Sequence, residues 1–327
     1  MADKDGDLLL SDAELNEFQT AVFGQNLTAD ELADIKECVR SGCESGIVPG
    51  KGITESGFQY LNKLFIERGR METTWSVLKR FGYDEKLDLI VNYSIVDKNE
   101  GARFYLSDEA RSFVESLFAR LDLDEDKHLN DDELQFFFDL LPFNPWESFS
   151  FPDNVEVDEN GNVGLPGFLC QWQAFAHLDP AQCLYTLKYL GWFTSEESAF
   201  KVVSKSTAQS RLAASSKPFY RVVFLGTDGS GKSSILRTFL NRQFDDSYLP
   251  TEDSGHSVIV NAFFKGQEKT VMFEEYGPNN GAEEILETGK AFFDDIDLLC
   301  FIFDQSNPQS FDYISSLRVL ELSINKY

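Results

Sequence analysis

The sequence carries the same ladder of acidic residues twice, with the same spacing each time. The second copy begins at Asp122 and places acidic residues at positions 1, 3, 5 and 12 of a twelve-residue stretch, and the first copy begins at Asp3. Side chains at this spacing point inward around a turning loop, where a backbone carbonyl at position 7 adds a further oxygen. Such an oxygen set suits a hard divalent cation. The predicted ligands are Asp3, Asp5, Asp7, Leu9, Ser11 and Glu14 in the first loop, and Asp122, Asp124, Asp126, His128, Asn130 and Glu133 in the second.

This spacing is typical of the EF-hand, a calcium loop between two helices. Leu10 and Leu129 stand at position 8, where an apolar residue joins paired loops. Position 6, where the sharp turn favours glycine, holds Leu8 and Lys127 instead. A side chain at positive φ costs on the order of 1 kcal/mol, so we expect weakened cation binding. The first loop also has only two residues before it to form an entering helix. The alternative for either loop is a solvated acidic turn before a capped helix.

The duplication extends beyond the acidic loops. Residues 52–58 follow the first loop and residues 161–168 follow the second, and both resemble EF-hand loops that have lost their acids. We expect each to supply a short strand that pairs with the acidic loop before it. The predicted partners are Ile53 with Leu10, and Val163 with Leu129. Matched order at a separation of about 110 residues predicts a duplicated domain.

A helix ends each predicted unit, passing through residues 75–78 in the first and 184–187 in the second. Such a helix can lie in the apolar groove that a calcium-sensing hand pair offers to a target, although the same aromatic residues can equally be plain core. Segments 89–105 and 194–217 are predicted linkers. The resulting domains are residues 1–88, 105–193 and 218–327.

Bulk composition excludes several classes of partner. The formal net charge is -26, which disfavours nucleic acid and anionic membrane surfaces. The five cysteines are odd in number and without Cys-x-x-Cys spacing, which indicates a reducing, cytosolic environment. No signal peptide and no run of about eighteen apolar residues occurs, so we expect no membrane insertion by this chain alone.

The pattern changes after Pro218. Short β-rich apolar segments alternate with helical segments, which predicts an α/β sheet of the parallel type. The predicted strands are 219–225, 257–264, 270–273 and 297–303, and the predicted helices are 233–240 and 282–293.

A glycine-rich motif of the form G-x-x-x-x-G-K-[ST] lies between the first strand and the first helix of this block. Glycines let backbone amides converge on phosphate oxygens at the positive end of a helix. Lys232 is expected to reach the β- and γ-phosphates, and the Ser233 hydroxyl to bind Mg²⁺. An ordinary glycine-rich turn is the alternative. The predicted nucleotide-binding residues here are Gly226, Gly229, Ser230, Gly231, Lys232, Ser233 and Ser234.

Two further segments resemble the switches of small GTPases. Thr251 stands where a threonine caps the metal, and Glu274 replaces the aspartate of the D-x-x-G motif that holds Mg²⁺ through water. Gly277 is expected to donate its amide to the γ-phosphate. Pro278 follows where many relatives place the glutamine that orients water, so hydrolysis is expected to be slow. The predicted magnesium set is Ser233, Thr251 and Glu274.

The motifs that read guanine are missing from the end of the block: neither N/T-K-x-D nor a later S-A-K loop is present. Nothing in the chain therefore selects guanine over adenine. About two strands of a six-stranded GTPase sheet are also missing, so the strand at 297–303 is expected to form an unpaired edge. We interpret the chain as a fragment.

The order of elements resembles the Miro-type mitochondrial Rho GTPases, and residues 64–75, 78–83 and 304–311 look very similar to that family. The resemblance implies two all-α EF-hand-pair units with a capping helix each, followed by a partial P-loop GTPase domain of α/β fold. It implies Ca²⁺, Mg²⁺ and GTP as cofactors, and a place on the cytosolic face of the mitochondrial outer membrane. It also implies a C-terminal membrane anchor outside this chain. Motor adaptors and mitochondrial quality-control factors are the implied partners.

Three hypotheses remain open from the sequence. The first is a calcium-responsive GTPase scaffold that couples mitochondria to transport and homeostasis. The second is a calcium-binding interaction module with a non-hydrolysing GTPase-like domain, as Glu274 and Pro278 indicate. The third is a P-loop adenine-nucleotide kinase, which no lid-like arginine cluster supports.

Overall fold

The computed structural model describes residues 2–3, 7–192, 194–203, 217–241, 257–279, 281–282 and 290–324. The chain divides into two compact units, Met1–Asn92 with Lys188–Gly191 and Tyr93–Leu187 with Trp192–Tyr327. The predicted segments 105–193 and 218–327 fall largely in the second unit, and the division into three domains stays a prediction.

The first unit is mainly helical, and its first three helices begin at side-chain caps. The Ser11 hydroxyl accepts the backbone N–H of Glu14, while the Glu14 carboxylate accepts the backbone N–H of Ser11. Thr28 and Glu31 form the same reciprocal pair before the second helix. The elements are β1 (Leu9–Leu10), α1 (Asp12–Phe23), α2 (Ala29–Gly42), β2 (Ile47–Val48), β3 (Gly52–Thr54), α3 (Glu55–Glu67) and α4 (Met71–Arg80).

Strand β3 is the centre of a small antiparallel sheet, with β1 on one side and β2 on the other. Leu10 lies opposite Ile53, as predicted. Helix α4 packs against both α1 and α3. The Phe18 ring contacts Phe58 edge-on at 5.2 Å and stacks on Phe81 at 6.0 Å. The buried apolar core of this unit consists of Leu10, Leu15, Val39, Ile53 and Leu61.

The second unit begins with a helical portion. In it β5 pairs antiparallel with β6, and Leu129 lies opposite Val163, which confirms the second predicted pairing. The elements are α5 (Ser94–Asp97), β4 (Arg103–Leu106), α6 (Asp108–Leu121), β5 (His128–Leu129), α7 (Asp131–Asp139), β6 (Val163–Gly164), α8 (Leu165–Leu178), α9 (Pro180–Tyr189) and β7 (Phe200–Val203).

An aromatic cluster fills the core of this helical portion. Trp146 is 1% exposed and lies at its centre, with ring centroids at 5.2 Å from Phe137, 5.7 Å from Phe168 and 5.5 Å from Trp172. The pairs with Phe168 and Trp172 are edge-to-face, a geometry that adds to the stability that burial gives.

The two predicted linkers contain paired strands, which corrects part of that prediction. Strands β4 and β7 pair antiparallel, with Arg103 opposite Val203 and Leu106 opposite Phe200. Three of the four β4 side chains are apolar and buried, and the Phe104 ring packs edge-on against Phe200 at 5.7 Å. Strand pairing across almost a hundred residues stabilises segments that are too short to be recognised as strands on their own.

A four-stranded sheet follows, in the order β11-β8-β10-β9. Strand β8 is parallel to β10 and β11, whereas β9 is antiparallel to β10, so the sheet is mixed. Among the described residues β11 pairs on one side only, as expected for an edge. The elements are β8 (Phe219–Gly226), α10 (Lys232–Phe239), β9 (Ser257–Phe264), β10 (Gln267–Tyr276), α11 (Lys290–Asp295), β11 (Leu298–Ile302) and α12 (Pro308–Ile324).

Buried charges join the helical portion of this unit to its sheet. The Asp297 carboxylate accepts from Arg103 at 2.8 Å and from Lys217 at 2.7 Å. The Arg221 guanidinium donates to Asp295 at 2.6 Å, and Asp295 also contacts His177 at 3.1 Å. Buried ion pairs cost much when one partner is removed, so this network fixes how β4 and α8 meet the sheet.

Candidate functional site

The second acidic loop joins α6 to α7 and brings its carboxylates together. Asp122, Asp124 and Asp126 each place one oxygen within 4.8 Å of the others. Like charges this close repel one another unless a cation lies among them. The oxygen-only donor set fits a hard cation such as Ca²⁺.

Backbone N–H groups orient these acids. Lys127 donates to Asp122 at 3.0 Å, and His128 donates to Asp126 at 2.7 Å. Lys127 has φ of 72°, so the non-glycine residue at position 6 does adopt the left-handed conformation that the loop requires.

Glu133 closes the loop from the start of α7. It is 4% exposed, and its two carboxylate oxygens accept from the backbone of Leu123 at 2.7 Å and of Asn130 at 3.0 Å. The Asn130 side chain caps α7 by accepting the backbone N–H groups of Asp132 and Glu133. The geometry thus brings together Asp122, Asp124 and Asp126, while Glu133 and Asn130 accept hydrogen bonds from backbone N–H groups of the loop and of α7.

The first acidic loop repeats three of these bonds. Asp3 accepts the backbone N–H of Leu8 at 3.0 Å, Asp7 accepts that of Leu9 at 2.9 Å, and the carboxylate of Glu14 lies 3.0 Å from the backbone nitrogen of Ser11. Leu8 has φ of 62°. The predicted ligand Asp5 lies outside the described residues.

The glycine-rich loop runs from the end of β8 to the start of α10, as the motif predicts. Gly229 and Gly231 have φ of 72° and 92°, which favours glycine at both positions. A side chain at Gly226 would collide with the carbonyl oxygen of Ile302. The loop is therefore a backbone cradle at the N-terminus of a helix, the arrangement that binds phosphate.

Two buried hydroxyls in this cradle have no hydrogen-bond partner among the described residues, Thr227 Oγ1 and Ser230 Oγ. Buried polar atoms are rarely left unpaired. Lys232 is 7% exposed, and its ammonium donates to the carbonyls of Gly226 at 3.0 Å and Thr227 at 2.9 Å. Burial lowers the pKa of Lys232, although Glu275 and Asp228 oppose that effect. Unpaired hydroxyls and a lysine beside them fit a phosphate group.

Ser233 contacts a different carboxylate from the one predicted. Its hydroxyl lies 2.8 and 2.9 Å from the two oxygens of Glu275, a fully buried residue. Glu274 instead accepts from Arg221 at 2.5 and 3.1 Å. Neighbouring residues of a strand point to opposite faces, so only one of the two can face the loop. Glu275, and not Glu274, therefore lies beside Ser233, and the predicted magnesium set of Ser233, Thr251 and Glu274 stays a prediction.

Gly277 is buried at the end of β10, and its carbonyl accepts the N–H of Ala282 at 3.1 Å. Nearby, Asn279 donates its side-chain amide to Asp228 of the glycine-rich loop at 2.5 Å. This bridge was not predicted. Thr251 lies outside the described residues, and Ser234 lies in the first turn of α10.

The sequence matches known families along most of its length. Residues 25–110 and residues 146–212 match two families that are both described as "EF hand associated", and residues 221–323 match the Ras family. Three proteins named Mitochondrial Rho GTPase 1 are similar to this chain. The one from Cryptococcus neoformans var. neoformans serotype D is 34% identical to it, and those from Gibberella zeae and Neurospora crassa are each 35% identical to it. Each alignment covers 97% of this chain and 51–53% of the relative.

The chain is a homologue of mitochondrial Rho GTPases along 97% of its own length. It spans about half the length of the curated relatives it matches. Its EF-hand-associated regions precede a Ras-type region, in the order that the sequence predicts for mitochondrial Rho GTPases. In the part of the chain that the structure describes, no helix combines the length and the apolar character needed to cross a membrane.

Two contributors to the nucleotide site escaped the sequence argument. Counting three residues back from Gly277 selects Glu274, whereas Glu275 is the residue that contacts Ser233. The contact between Asp228 and Asn279 joins residues 51 positions apart and leaves no periodic signal.

Proposed function

We propose that this chain is the calcium-binding and nucleotide-binding region of a mitochondrial GTPase, and that it carries Ca²⁺ in its acidic loops and Mg²⁺-GTP in its glycine-rich loop. The observation that carries the proposal is the pairing of Ser233 with Glu275 beside two unpaired hydroxyls in the phosphate cradle. The family relationship supports guanine as the base.

In the nucleotide site each residue has a separate task. The amides of the glycine-rich loop and the Lys232 ammonium would bind the phosphates. Ser233 and Glu275 would hold the magnesium ion, Ser233 directly and Glu275 beside it. When bound, Mg²⁺ supplies positive charge that neutralises the phosphates. Pro278 stands where many relatives have a glutamine, and its side chain has no hydrogen-bonding group with which to orient water. We therefore expect slow hydrolysis.

We further propose that each half of the helical region is a pair of EF-hands, in which a metal-free hand covers its metal-binding partner. The strand pairs Leu10–Ile53 and Leu129–Val163 support this arrangement. Helices α4 and α9 would then act as capping helices that fill the groove of each pair. A groove that is filled by the same chain leaves little room for a large opening on calcium binding.

Calorimetric titration with Ca²⁺ tests the metal half of the proposal. Glu133→Gln keeps the size of the side chain and removes its charge. Calcium affinity at the second loop is expected to fall about a hundredfold, because the bound cation loses the negative charge of a buried carboxylate. Asp139→Asn, at the other end of α7, is the control and should bind as the wild type does. Equal titrations for wild type and Glu133→Gln would refute the assignment.

Titration with a fluorescent GDP analogue, with Mg²⁺ and with chelator, tests the nucleotide half. Glu275→Gln should lower the magnesium-dependent affinity about tenfold. Its neighbour Glu274→Gln should leave the affinity unchanged and instead lower the free energy of unfolding by about 3 kcal/mol, because Arg221 loses a buried partner. Lys232→Ala should weaken binding with or without Mg²⁺. The reverse behaviour of the two glutamate variants would restore Glu274 to the site.

A second candidate function is a calcium-binding interaction module whose GTPase-like region binds nucleotide without hydrolysing it. The bridge from Asn279 to Asp228 favours this candidate, because it places a carboxylate in the phosphate loop and engages the segment after Gly277. Phosphate release from bound GTP separates the two: turnover that Lys232→Ala abolishes supports the GTPase, and binding without turnover supports the module.

The cellular role is proposed from the family alone. The relatives are named as mitochondrial, and we propose the cytosolic face of the outer membrane as the location. Motor adaptors and mitochondrial quality-control factors are the proposed partners. Fractionation of mitochondria with and without external protease would test the location.

A further inference from the structure

A polar cavity lies in the second unit, away from both sites described above. It is bounded by α6 and α8 on one side and by β10 on the other, and its volume is about 180 Å³. That is the space of about six water molecules. Sites for drug-sized ligands usually measure about 300–1,000 Å³, so only a small compound fits. One part of the wall is apolar and consists of Leu106, Leu165, Pro166, Leu169 and Pro218.

Among the six charged side chains that line the cavity, Lys269 differs from the rest. It is 5% exposed, and among the described residues its ammonium donates one hydrogen bond, to the neutral Oε1 of Gln267 at 2.9 Å. Burial lowers the pKa of Lys269, with no carboxylate acting against it. The other five charged groups already form ion pairs: Arg111 with Glu115 and Glu268, and Lys201 with Asp108.

Gln173 supplies a second donor to the same cavity. The residue is 8% exposed, and its side-chain nitrogen has no hydrogen-bond partner among the described residues. A buried donor without an acceptor costs free energy. Among the described residues, neither Lys269 nor Gln173 has a charged acceptor. The five paired groups around them, two basic and three acidic, carry a net charge of -1.

We propose that this cavity binds a small organic carboxylate. Its oxygens would accept hydrogen bonds from Lys269 and Gln173, and its short alkyl tail would pack on the apolar wall. The carboxylate would meet the buried ammonium of Lys269, the basic group of the lining that has no carboxylate partner among the described residues, and charge-assisted hydrogen bonds of this kind are strong. Butyrate, with six non-hydrogen atoms, matches the volume.

Titration calorimetry with the whole chain and a series of fatty acids tests the proposal. Butyrate is expected to bind at one site, and each methylene from acetate to butyrate should tighten binding about fourfold. Octanoate should bind more weakly than butyrate because the cavity is too small for it. Inorganic phosphate, an anion without an alkyl chain, is the control. Binding of phosphate with no binding of butyrate would overturn the assignment of the apolar wall, and no binding of any anion would overturn the proposal.

Variants of the two donors locate the binding. Lys269→Met should abolish butyrate binding, whereas Lys265→Met, an exposed lysine of the same hairpin, should leave it unchanged. Gln173→Leu should weaken binding about tenfold, the value of one hydrogen bond to a charged group. Thermal unfolding of each variant verifies that it is folded. Wild-type affinity in folded Lys269→Met would place the carboxylate elsewhere and refute the proposed site.

Discussion

The two acidic loops share one backbone design, yet they are set in different surroundings. In each loop the N–H at position 6 donates to the acid at position 1, and the N–H at position 9 donates to the glutamate at position 12. The buried core beside the first loop is aliphatic, and the aromatic rings packed against it are only partly buried. The second loop adjoins an aromatic cluster around Trp146. Loop geometry is therefore encoded locally, whereas the rigidity around it comes from the core.

This difference has a consequence for calcium binding. A loop whose flanking helices are firmly packed loses less conformational freedom when it closes on a cation. Glu133 lies at the start of α7, and Phe137, one turn later, is fully buried against Trp146. Glu14 lies at the start of α1, where Phe18 contacts Phe58 but remains partly exposed. We expect the second loop to bind calcium more tightly than the first.

The largest effect is expected from removing the centre of the aromatic cluster. Trp146→Ala should lower the free energy of unfolding by about 3–5 kcal/mol, because a large cavity remains in a closely packed core. Trp75→Ala is the control in the first unit. Its side chain is partly exposed, and its loss should cost about 1–2 kcal/mol. Urea unfolding followed by far-UV circular dichroism measures both, and equal losses would contradict the contrast between the two cores.

A smaller effect is expected from calcium itself. At a hundredfold excess over its dissociation constant, calcium should stabilise the protein by about 2.7 kcal/mol for each site that binds only the folded state. Urea unfolding with calcium and with chelator measures this gain. Glu133→Gln should remove the gain from the second loop, while Glu14→Gln should retain it. A gain that survives Glu133→Gln and disappears in Glu14→Gln would reverse the ranking of the loops.

The sequence predicted the local features of these loops well. Ligand spacing and the pairing of Leu10 with Ile53 follow from short-range patterns, and the structure contains both. The left-handed conformation at position 6 was also predictable, because an EF-hand loop makes its sharp turn at that position. The dominant signal is the repetition itself, since two copies reduce the chance of coincidence.

Features that depend on distant contacts could not be predicted. Arg103 pairs with Asp297, 194 residues away, and no local pattern indicates such a partner. The strand at Phe200–Val203 was taken for linker because it forms only where Arg103–Leu106 lies beside it. The contact between Glu275 and Ser233 was not predicted for a different reason. Motif spacing counts residues, but the face of a strand decides which carboxylate meets Ser233.

The smallest expected effect concerns position 6 of the loops. Lys127→Gly should relieve the left-handed strain of about 1 kcal/mol at φ of 72°, and so tighten calcium binding about fivefold. Lys127→Ala also removes the charged chain but keeps the Cβ atom, so it separates strain from charge and should bring no such gain. Leu8→Gly applies the same test to the first loop. Calorimetric titration of the three variants measures the change. If Lys127→Ala tightens binding as much as Lys127→Gly does, repulsion between the lysine and the cation, rather than backbone strain, limits the affinity of the second loop.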